Sequence, residues 1–404
     1  MTHVSAPLIT IAEARERVLS EVTQLASELV DLDDGLERVL AGEIVAAGDV
    51  PGFASSAMDG YAVQSGSAGR QLELIGESRA GSPSVLTVAD GQAIRISTGA
   101  AVPDGANAVI RQEDVRETGE DAILTGADVQ AGANIRPAGE DMRRGTPVLR
   151  RGTLLGPAEL GAAAAAGAGE LPVTRRPVVS VLCTGDELRP PGEPLGPGEI
   201  HNSNAPMLIA LARRSGAIAT GAQRLADDLG ATEQALEEAL ARSDVVVVSG
   251  GVSVGPHDHV KPALAALNVS ERFWRVALQP GKPTWFGTRE GKLVFGLPGN
   301  PVSAVVTFAL FVAPALAALL GRRPSDGQPT TATLGVPVSQ NPDREQALRV
   351  KVQYTPGGLT VTPNGPQGSH IVSSLVGADA LALIPRGTGE LPAGWSVALV
   401  PMTL

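Results

Sequence analysis

The segment Asp244–Asp258 constrains the fold of this chain more than any other stretch. It reads Asp-Val-Val-Val-Val-Ser-Gly-Gly-Val-Ser-Val-Gly-Pro-His-Asp. Four consecutive valines predict a strand buried on both faces, as in a parallel sheet covered by helices on either side. The turn at Gly250 and Gly251 leaves backbone amides open at the sheet edge where α/β proteins bind ligands, so we expect an anion there. Taken alone, the turn is about equally typical of an ordinary strand-to-helix connection capped by Asp258.

Length and composition narrow the class of protein. A chain of 404 residues is too long for one core and predicts two to four domains. The net charge of -11 and the 3% aromatic content argue against a nucleic-acid partner. One cysteine, Cys183, excludes an internal disulfide and predicts a core residue in a reducing compartment. With no signal peptide visible, we expect a cytoplasmic protein.

One segment resembles a membrane span by length. Residues 302–320 carry no charge and approach the length that crosses a bilayer. The segment contains Ser303, Thr307 and Pro314, and it follows a Gly-Asn-Pro turn directly after a predicted strand. These features favour a buried helix of an α/β layer, so we expect no membrane association.

The residue pattern divides the chain into four domains. Apolar spacing predicts helix over 8–45, and short alternating segments between turns predict a compact β domain over 46–146. Alternation of strand, turn and helix over 177–325 predicts a mainly parallel sheet. From 326 the pattern is β again. The predicted domains are a discontinuous helical and linker domain (1–45 and 147–176), an inserted β-rich domain (46–146), an α/β domain (177–325) and a terminal β domain (326–404), with hinges near 46, 147, 176 and 326.

Polar residues follow the predicted strands of the α/β segment. They lie in the sequences Thr184-Gly185-Asp186-Glu187, Asp227-Asp228, Ser249-Gly250-Gly251 with Asp258, and Leu297-Pro298-Gly299-Asn300-Pro301. Glycine turns beside carboxylates favour a phosphate held with a divalent cation, most often Mg²⁺. Lys282, on a Pro-Gly-Lys-Pro turn, is suited to neutralising an oxyanion. Each feature alone fits a helix cap or a solvated turn, but four of them on one sheet edge predict a site.

An ordered set of motifs carries a family resemblance. The chain contains Met58-Asp59-Gly60-Tyr61-Ala62, Ser97-Thr98-Gly99-Ala100, Gly139-Glu140-Asp141, Thr184-Gly185-Asp186-Glu187-Leu188, Ser249–Gly255, Pro280-Gly281-Lys282-Pro283 and Gly296–Ser303. In this order they resemble the MoeA and gephyrin E-domain family of molybdopterin molybdenumtransferases over residues 8–400. The resemblance implies a three-layer α/β/α domain similar to MogA, an inserted β-rich domain, a linker domain and a small C-terminal β-barrel.

The resemblance also implies an activity. Such proteins hydrolyse adenylylated molybdopterin and insert molybdate into its dithiolene, releasing AMP with the help of Mg²⁺. It implies a homodimer whose active site lies between subunits, with the α/β domain of one facing the terminal β domain of the other, and it allows contact with a MogA-type adenylyltransferase. A carboxylate-held cation would withdraw charge from the phosphoanhydride while molybdate, held by amides and cations, takes part as the oxyanion.

Residue roles carry over onto matching positions. The implied catalytic residues are Asp59, Glu187, Asp227, Asp258 and Lys282, of which Glu187, Asp227 and Asp258 would hold the metal. The implied substrate-binding residues are Thr98, Arg136, Asp141, Thr184, Gly185, Ser249, Gly250, Gly251, Ser253, Arg275, Pro298, Pro301, Arg349, Ser369 and Ser373. Among these, Arg349, Ser369 and Ser373 would face the other subunit.

One position departs from the family pattern. Gln279 stands before Pro280 where a lysine is common, and Arg275 stands four residues earlier where a second lysine is frequent. If both lie on one strand they share a face, and the site loses one charge, an anion contact of about 1.5–3 kcal/mol. We expect weaker oxyanion binding or an altered metal preference. Gln279 also leaves open a gephyrin-like scaffold without activity, while the flanking β domains argue against a third option, the partner adenylyltransferase activity.

Overall fold

The computed structural model describes residues 8–225, 228–252, 258–322 and 330–402. Its centre is a seven-stranded sheet in the predicted α/β segment. Strand Val245–Ser249 lies between Val178–Thr184 and Lys292–Leu297, and all three run parallel. Ile218–Ala219 and Gln223–Leu225 also pair in parallel with Val178–Thr184. Trp285–Arg289 and Ser270–Trp274 extend the other edge in antiparallel orientation. The predicted mainly parallel sheet is confirmed, with an antiparallel edge that the sequence did not indicate.

The four valines show why the central strand is wholly apolar. Each is 0% exposed. Val245 and Val247 belong to one hydrophobic cluster, while Val246 and Val248 belong to a second. Because side chains alternate across a strand, each core receives every second valine. Helices cover the sheet: Asn204–Arg214, Leu229–Arg242, Val260–Ala266 and the continuous helical segment Pro301–Leu319, which contains a π-helical turn at Phe308–Val312.

The uncharged helical segment Pro301–Leu319 lies inside the protein. By length and composition it could cross a membrane, with a mean hydropathy of 2.3 and 72% of the tested window buried. Val302, Val306 and Phe311 belong to the larger core cluster together with sheet residues such as Phe295. The prediction of a buried helix in the α/β layer is confirmed.

The N-terminal segment differs from its predicted helix. A helix spans Ile11–Ser20 and begins with a capping box between Thr10 and Glu13. After it, Ser27–Asp31 pairs antiparallel with Glu170–Thr174, and Ile44–Val45 pairs with Pro147–Leu149. The prediction of helix to residue 45 is wrong, because strand pairing with a distant segment overrides local apolar spacing. Helix Pro157–Ala165 packs beside these ribbons around Leu40, Leu155 and Leu171, whereas the first helix contributes Ile11 and Val18 to the α/β core.

The inserted region is a β domain. Its six-stranded sheet has the order Ala108–Arg111, Gly60–Val63, Gln92–Ile96, Gln71–Ser78, Ala122–Thr125 and Val115–Glu117. A separate short ribbon joins Ser55–Ser56 to Ile135–Arg136. The three alternating segments around residues 72–75, 93–96 and 108–110 are strands as predicted.

The C-terminal region is a closed five-stranded barrel, as the resemblance implied. Glu345–Thr355 pairs with both Gly358–Pro363 and Ala380–Ile384, and the ring closes through Thr331–Leu334 and Ser396–Pro401. Val338–Ser339 and Glu390–Leu391 form a side ribbon. The barrel is seated on the α/β domain: Leu278–Gln279 pairs with Glu345–Gln346, and Ala347, Leu375 and Leu381 join the α/β core cluster.

Candidate functional site

A cavity of about 570 Å³ opens at the carboxyl ends of the parallel strands. The predicted residues on its wall are Thr184, Glu187, Ser249, Gly250, Gly251, Pro298 and Pro301. They follow three different strands, so the expectation that these strand ends meet at one edge agrees with the geometry. The wall also includes Cys183, Leu188, Ile200, His201, Asn202, Ser203, Asn204, Val252, Pro283, Gly299, Asn300 and His370.

The turn at Gly250 and Gly251 leaves space for neighbouring side chains, but it does not offer two free backbone amides as hydrogen-bond donors. Gly250 and Gly251 have φ of 92° and 67°, a region that side-chain-bearing residues rarely adopt. A Cβ on Gly250 would lie 2.6 Å from the Thr184 Oγ1. The Gly250 amide donates to the Leu297 carbonyl at 3.0 Å. The expectation that this amide is open to an anion is therefore wrong, because it ties the turn to the neighbouring strand.

Among the described residues of the cavity wall, Glu187 is the one that carries a carboxylate. It lies in the turn after strand Val178–Thr184, and its carboxylate folds over Gly185, where a Cβ would lie 2.5 Å from Oε2. Gly185 thus allows the Glu187 side chain to lie over the backbone. Cys183 also reaches the wall, but burial raises the pKa of its thiol to about 11. A protonated thiol is a poor nucleophile, in agreement with its prediction as a core residue.

Asn204 is a site residue that the sequence reasoning missed. Its Nδ2 donates to the Ser249 Oγ at 2.8 Å and to the Gly299 carbonyl at 2.7 Å, joining two strand-end turns. The side chain is 8% exposed, and its Oδ1 has no hydrogen-bond partner among the residues that the structure describes. The polar segment His201-Asn202-Ser203-Asn204, between a strand and a helix, is the sequence feature that could have indicated a site residue here.

The C-terminal barrel of the same chain reaches the cavity. His370 is on its wall, and Asn300 Nδ2 donates to the Ser369 Oγ at 3.1 Å. Val302 N donates to the Ser369 carbonyl at 3.1 Å. The resemblance implied that the α/β domain faces the terminal β domain of another subunit. Within one chain, the α/β domain and the barrel already share the rim of this cavity.

Arg349 lies behind this rim and not on an outer surface. It is 0% exposed, and its Nη2 donates to the carbonyls of Pro366 and Gly368 at 3.1 and 3.3 Å. Its Nε donates to the Ser374 Oγ, while Nη1 is buried and has no partner within the described part of the chain. Burial lowers the pKa of the guanidinium to about 10. Of the three residues expected to face another subunit, Ser373 is exposed, Ser369 binds Asn300 and Arg349 is enclosed.

Only some of the predicted metal ligands belong to the part of the chain that the structure describes. Asp227 and Ser253 lie outside the described residues, and Asp258 is described but is not among the residues on the cavity wall. Glu187 and neighbouring hydroxyl and amide oxygens offer hard ligands of the kind that Mg²⁺ prefers. Within the described ranges, no group of three acidic, histidine or cysteine side chains could hold an ion. These residues alone therefore do not form a complete magnesium site.

The basic residues predicted near the oxyanion occupy different elements. Arg275 has φ of 71° and stacks on Trp274, with its guanidinium carbon 3.9 Å from the ring centroid. Gln279 lies in the strand that pairs with the barrel and accepts a hydrogen bond from Asn341 Nδ2 at 2.6 Å. Arg275 and Gln279 do not share one strand face, so that expectation is wrong. Lys282 is exposed and is not on the cavity wall, although its neighbour Pro283 is.

The residues predicted in the inserted β domain form their own exposed group. Asp59 Oδ1 accepts hydrogen bonds from the amide and hydroxyl of Thr98 at 2.7 and 3.0 Å. These bonds, from the amide and then the hydroxyl, lower the pKa of Asp59. Arg136 pairs with Ser55 in the short ribbon, and both Arg136 and Asp141 are exposed. None of the four lines the described cavity of the same chain.

Comparison with known proteins covers nearly the whole chain. Family models match in order: the MoeA N-terminal region (domain I and II) over residues 9–167, a probable molybdopterin binding domain over 180–318, and the MoeA C-terminal region (domain IV) over 331–402. The cavity described above lies mainly in the second of these regions.

Curated relatives and solved structures agree with this assignment. The chain is 33% identical to a molybdopterin molybdenumtransferase of Staphylococcus aureus, covering 97% of this chain and 95% of that protein. It is 34% identical to one from Staphylococcus epidermidis, covering 96% and 94%. The structure of a molybdopterin biosynthesis MoeA protein from Pyrococcus horikoshii matches with a TM-score of 0.81 at 32% identity, covering 98% of this chain and 100% of that one.

Proposed function

Because the chain belongs to the MoeA family and is thus a transferase of molybdenum cofactor biosynthesis, we propose that it hydrolyses adenylylated molybdopterin, releases AMP and inserts molybdate into the dithiolene. The observation that carries this proposal is the cavity at the strand ends of the matched molybdopterin-binding region. Its wall combines turn backbone, hydroxyl and amide groups, and one described carboxylate, which suits a phosphorylated polar ligand.

Ligand binding would rest on a preorganised polar wall. Asn204 fixes the Ser249 and Gly299 turns relative to each other, and its Oδ1, which no other described residue contacts by a hydrogen bond, can accept one from the ligand. A buried acceptor without a partner costs about 1–3 kcal/mol. A donor on the ligand, such as a ring N–H, would remove that cost. Thr184 and Ser249 remain proposed substrate contacts, and Gly250 and Gly251 provide the space for them.

Mg²⁺ is proposed as the cofactor, held by Glu187 with Asp227 and Asp258. When bound, such an ion would draw negative charge from the phosphoanhydride. The chain's own residues would orient the ligand: Glu187 lies at the cavity, and the turn through Gly185 keeps its carboxylate over the strand end. Molybdate would be bound near Lys282, Pro298 and Pro301, of which the two prolines lie on the cavity wall. Arg275, Arg349, Ser369 and Ser373 remain proposed substrate contacts.

A homodimer is proposed from the division of the predicted site. Asp59, Thr98, Arg136 and Asp141 are exposed, and within one chain they are absent from the described cavity wall. A second copy could present this group to the cavity, whereas Ser369 and His370 already come from the same chain. The proposal of a contact with a MogA-type adenylyltransferase is retained, since that enzyme would supply the adenylylated substrate.

Single-turnover release of AMP tests the proposed reaction. Adenylylated molybdopterin is mixed with excess protein and Mg²⁺, with and without molybdate. We expect molybdate-dependent AMP release, reduced by about 10²-fold or more in Glu187→Gln and in Asp258→Ala if these carboxylates act at the site. Glu238→Gln, an exposed carboxylate on helix Leu229–Arg242, is the matched control and should keep the wild-type rate.

The same experiment separates the two candidate functions. If folded wild-type protein binds the substrate but releases no AMP, the transferase proposal fails and a gephyrin-like scaffold is favoured. Replacing Gln279 with Lys then tests whether the missing charge explains the loss. Recovery of molybdate-dependent release in that variant would show that Gln279 accounts for the missing activity of the natural protein.

A further inference from the structure

One indole outside the cavity is joined to its wall. Trp274 ends the antiparallel edge strand Ser270–Trp274 and is half-buried. It does not line the cavity, but its Nε1 donates a hydrogen bond at 3.0 Å to the carbonyl of Val252, which does. Val252 directly follows the turn at Gly250 and Gly251 and is 2% exposed. A buried carbonyl needs a donor, and the indole supplies one to Val252.

The same indole carries two cationic side chains. The Nζ of Lys261 lies 3.3 Å from the centroid of the Trp274 ring, and the guanidinium carbon of Arg275 lies 3.9 Å from it. Cations are attracted to the face of an aromatic ring, most strongly to that of tryptophan. The Lys261 Nζ is also 3.9 Å from the Glu271 carboxylate. Contacts with strand Ser270–Trp274 therefore define the position of the Lys261 side chain.

Lys261 brings the start of a helix to this contact. It lies in the first turn of helix Val260–Ala266, which begins shortly after Asp258. The preceding residue, Val260, packs on the turn before Val252, since a Cβ on Gly251 would lie 2.6 Å from the Val260 Cγ2. The start of the helix is thus held both against the turn and against the indole.

Trp274 contacts the chain on both sides of Asp258. Val252 precedes Asp258 in the sequence and Lys261 follows it, and each contacts the same ring. Residues 253–257 lie outside the described part of the chain. Two contacts with one rigid side chain fix the two positions relative to each other. The described residues on either side of the segment that carries Asp258 are therefore held at a common point.

The backbone beside the indole adopts a conformation that strands avoid. Arg275 has φ of 71°, in a region that residues with a side chain rarely adopt. Its amide donates to the Thr284 carbonyl at 2.9 Å, which holds this conformation. Adjacent side chains of a regular strand point to opposite faces, so the positive φ lets the Arg275 guanidinium reach the ring of the residue before it. Backbone strain that the surrounding structure maintains is concentrated at functional sites.

We infer that Trp274 is a positioning residue of the proposed reaction, which sets the position of the Asp258 carboxylate relative to the cavity wall. It acts through its contacts with Val252 and Lys261. The inference rests on the proposed function, because Asp258 has a role to be positioned for only if the transferase reaction takes place. Trp274 does not line the cavity, so its substitution should change the rate of the reaction more than the affinity for the ligand.

Single-turnover release of AMP tests this role when the concentration of the protein in excess is varied. Trp274→Phe keeps an aromatic ring for the two cations but removes the N–H that binds Val252. We expect the limiting rate to fall about tenfold, because a displaced catalytic group loses its alignment with the reacting atoms. The concentration that gives half of the limiting rate should change by less than about threefold, since the contacts with the ligand remain.

Hydrogen exchange gives a second readout, measured without Mg²⁺ or ligand. In Trp274→Phe, amides in peptides that contain Val252 or Lys261 should exchange about tenfold faster than in wild type, because the contact that holds both ends is weakened. Unchanged exchange in both peptides would overturn the inference.

Phe273→Leu is the matched control for a loss of stability. Phe273 precedes Trp274 in the same strand but belongs to the other core cluster, with its ring centroid 5.7 Å from that of Phe286. Both variants should lower the Tm by about 2–4 °C, but Phe273→Leu should keep the wild-type rate of AMP release. An equal loss of rate in both variants would assign the effect to the stability of the strand and overturn the inference.

A double variant shows whether Trp274 acts through Asp258. In an Asp258→Ala background, Trp274→Phe should cause no further loss of the limiting rate, because the effects of residues that act as a unit are not additive. If Trp274→Phe does not fold, Lys261→Met takes its place, since it removes the contact of the ring on the other side of Asp258 and should show the same coupling.

The outcomes distinguish this inference from the proposed function. A further tenfold loss caused by Trp274→Phe in the Asp258→Ala background overturns the inference and leaves the transferase proposal standing. A wild-type rate in Asp258→Ala together with a loss in Glu187→Gln has the same consequence, since Trp274 would then have no catalytic group to position. Wild-type protein that releases no AMP overturns both.

Discussion

At the scale of single residues, burial sets the protonation preference of Arg349 and Cys183. Arg349 in the barrel and Cys183 in the α/β domain are each shifted toward the neutral form, because burial penalises charge. The Arg349 guanidinium keeps three of its donors occupied, whereas the Cys183 thiol sits at the end of an apolar strand. At neutral pH the guanidinium of Arg349 therefore remains charged and the thiol of Cys183 remains neutral.

The reactivity of Cys183 gives a direct prediction. Its pKa is raised to about 11, above the unfolded value near 8.5. The folded state therefore favours the neutral thiol: this stabilisation is complete below pH 8.5 and is lost as pH rises to about 11. At pH 8 we expect labelling by a disulfide reagent to be at least tenfold slower in native protein than in denaturant. As the chain has one cysteine, the signal belongs to Cys183, and equal rates in both states would contradict its enclosed environment.

At the scale of elements, the turns that follow the parallel strands are joined to one another by hydrogen bonds. The Gly250 amide binds Leu297, Asn204 joins Ser249 to Gly299, and Asn300 reaches Ser369. Each turn is short, but each is fixed by the next strand rather than by its own sequence. The cavity is consequently preorganised by contacts between elements.

Substitution of Gly250 tests this arrangement. An alanine there requires φ near 92° and a Cβ 2.6 Å from the Thr184 Oγ1, so Gly250→Ala should lower the free energy of unfolding by about 1–3 kcal/mol. Gly230→Ala is the matched control, since it lies in helix Leu229–Arg242 with its nearest neighbour at 3.5 Å and should raise stability by about 0.5–1 kcal/mol. Urea denaturation measures both; a neutral or stabilising effect at Gly250 would rule out a strained turn.

At the scale of the whole molecule, the α/β domain and the C-terminal barrel form one packed unit. The cluster around Phe295 and Val305 includes Leu381 and Ala347 of the barrel, and strand Leu278–Gln279 joins the barrel sheet. The inserted β domain instead has separate small cores around Tyr61 and Ile94. The α/β domain and the barrel thus share apolar contacts.

The shared core predicts joint unfolding. Leu381→Ala removes a fully buried side chain and should cost about 2–5 kcal/mol. In a Trp395→Phe background, the remaining tryptophans, Trp274 and Trp285, report on the α/β domain. We expect Leu381→Ala, although it lies in the barrel, to lower the temperature of this fluorescence transition. Ile123→Ala, in the inserted β domain, should leave that transition in place. An unshifted fluorescence transition in Leu381→Ala would show that the two domains are energetically independent.

The local pattern of residues was enough to determine the α/β class, the buried valine strand, the buried helix over 301–319, the barrel strands and the meeting of strand ends at one edge. These follow from side-chain periodicity and turn chemistry, which act over a few residues. Tertiary structure decided the strand pairing that replaced the helix predicted to residue 45, the engaged Gly250 amide, and the separate settings of Arg275 and Gln279. It also brought Asn204, His201 and His370 to the cavity and enclosed Arg349. These features depend on contacts between residues far apart in the chain, which the local pattern of residues does not specify.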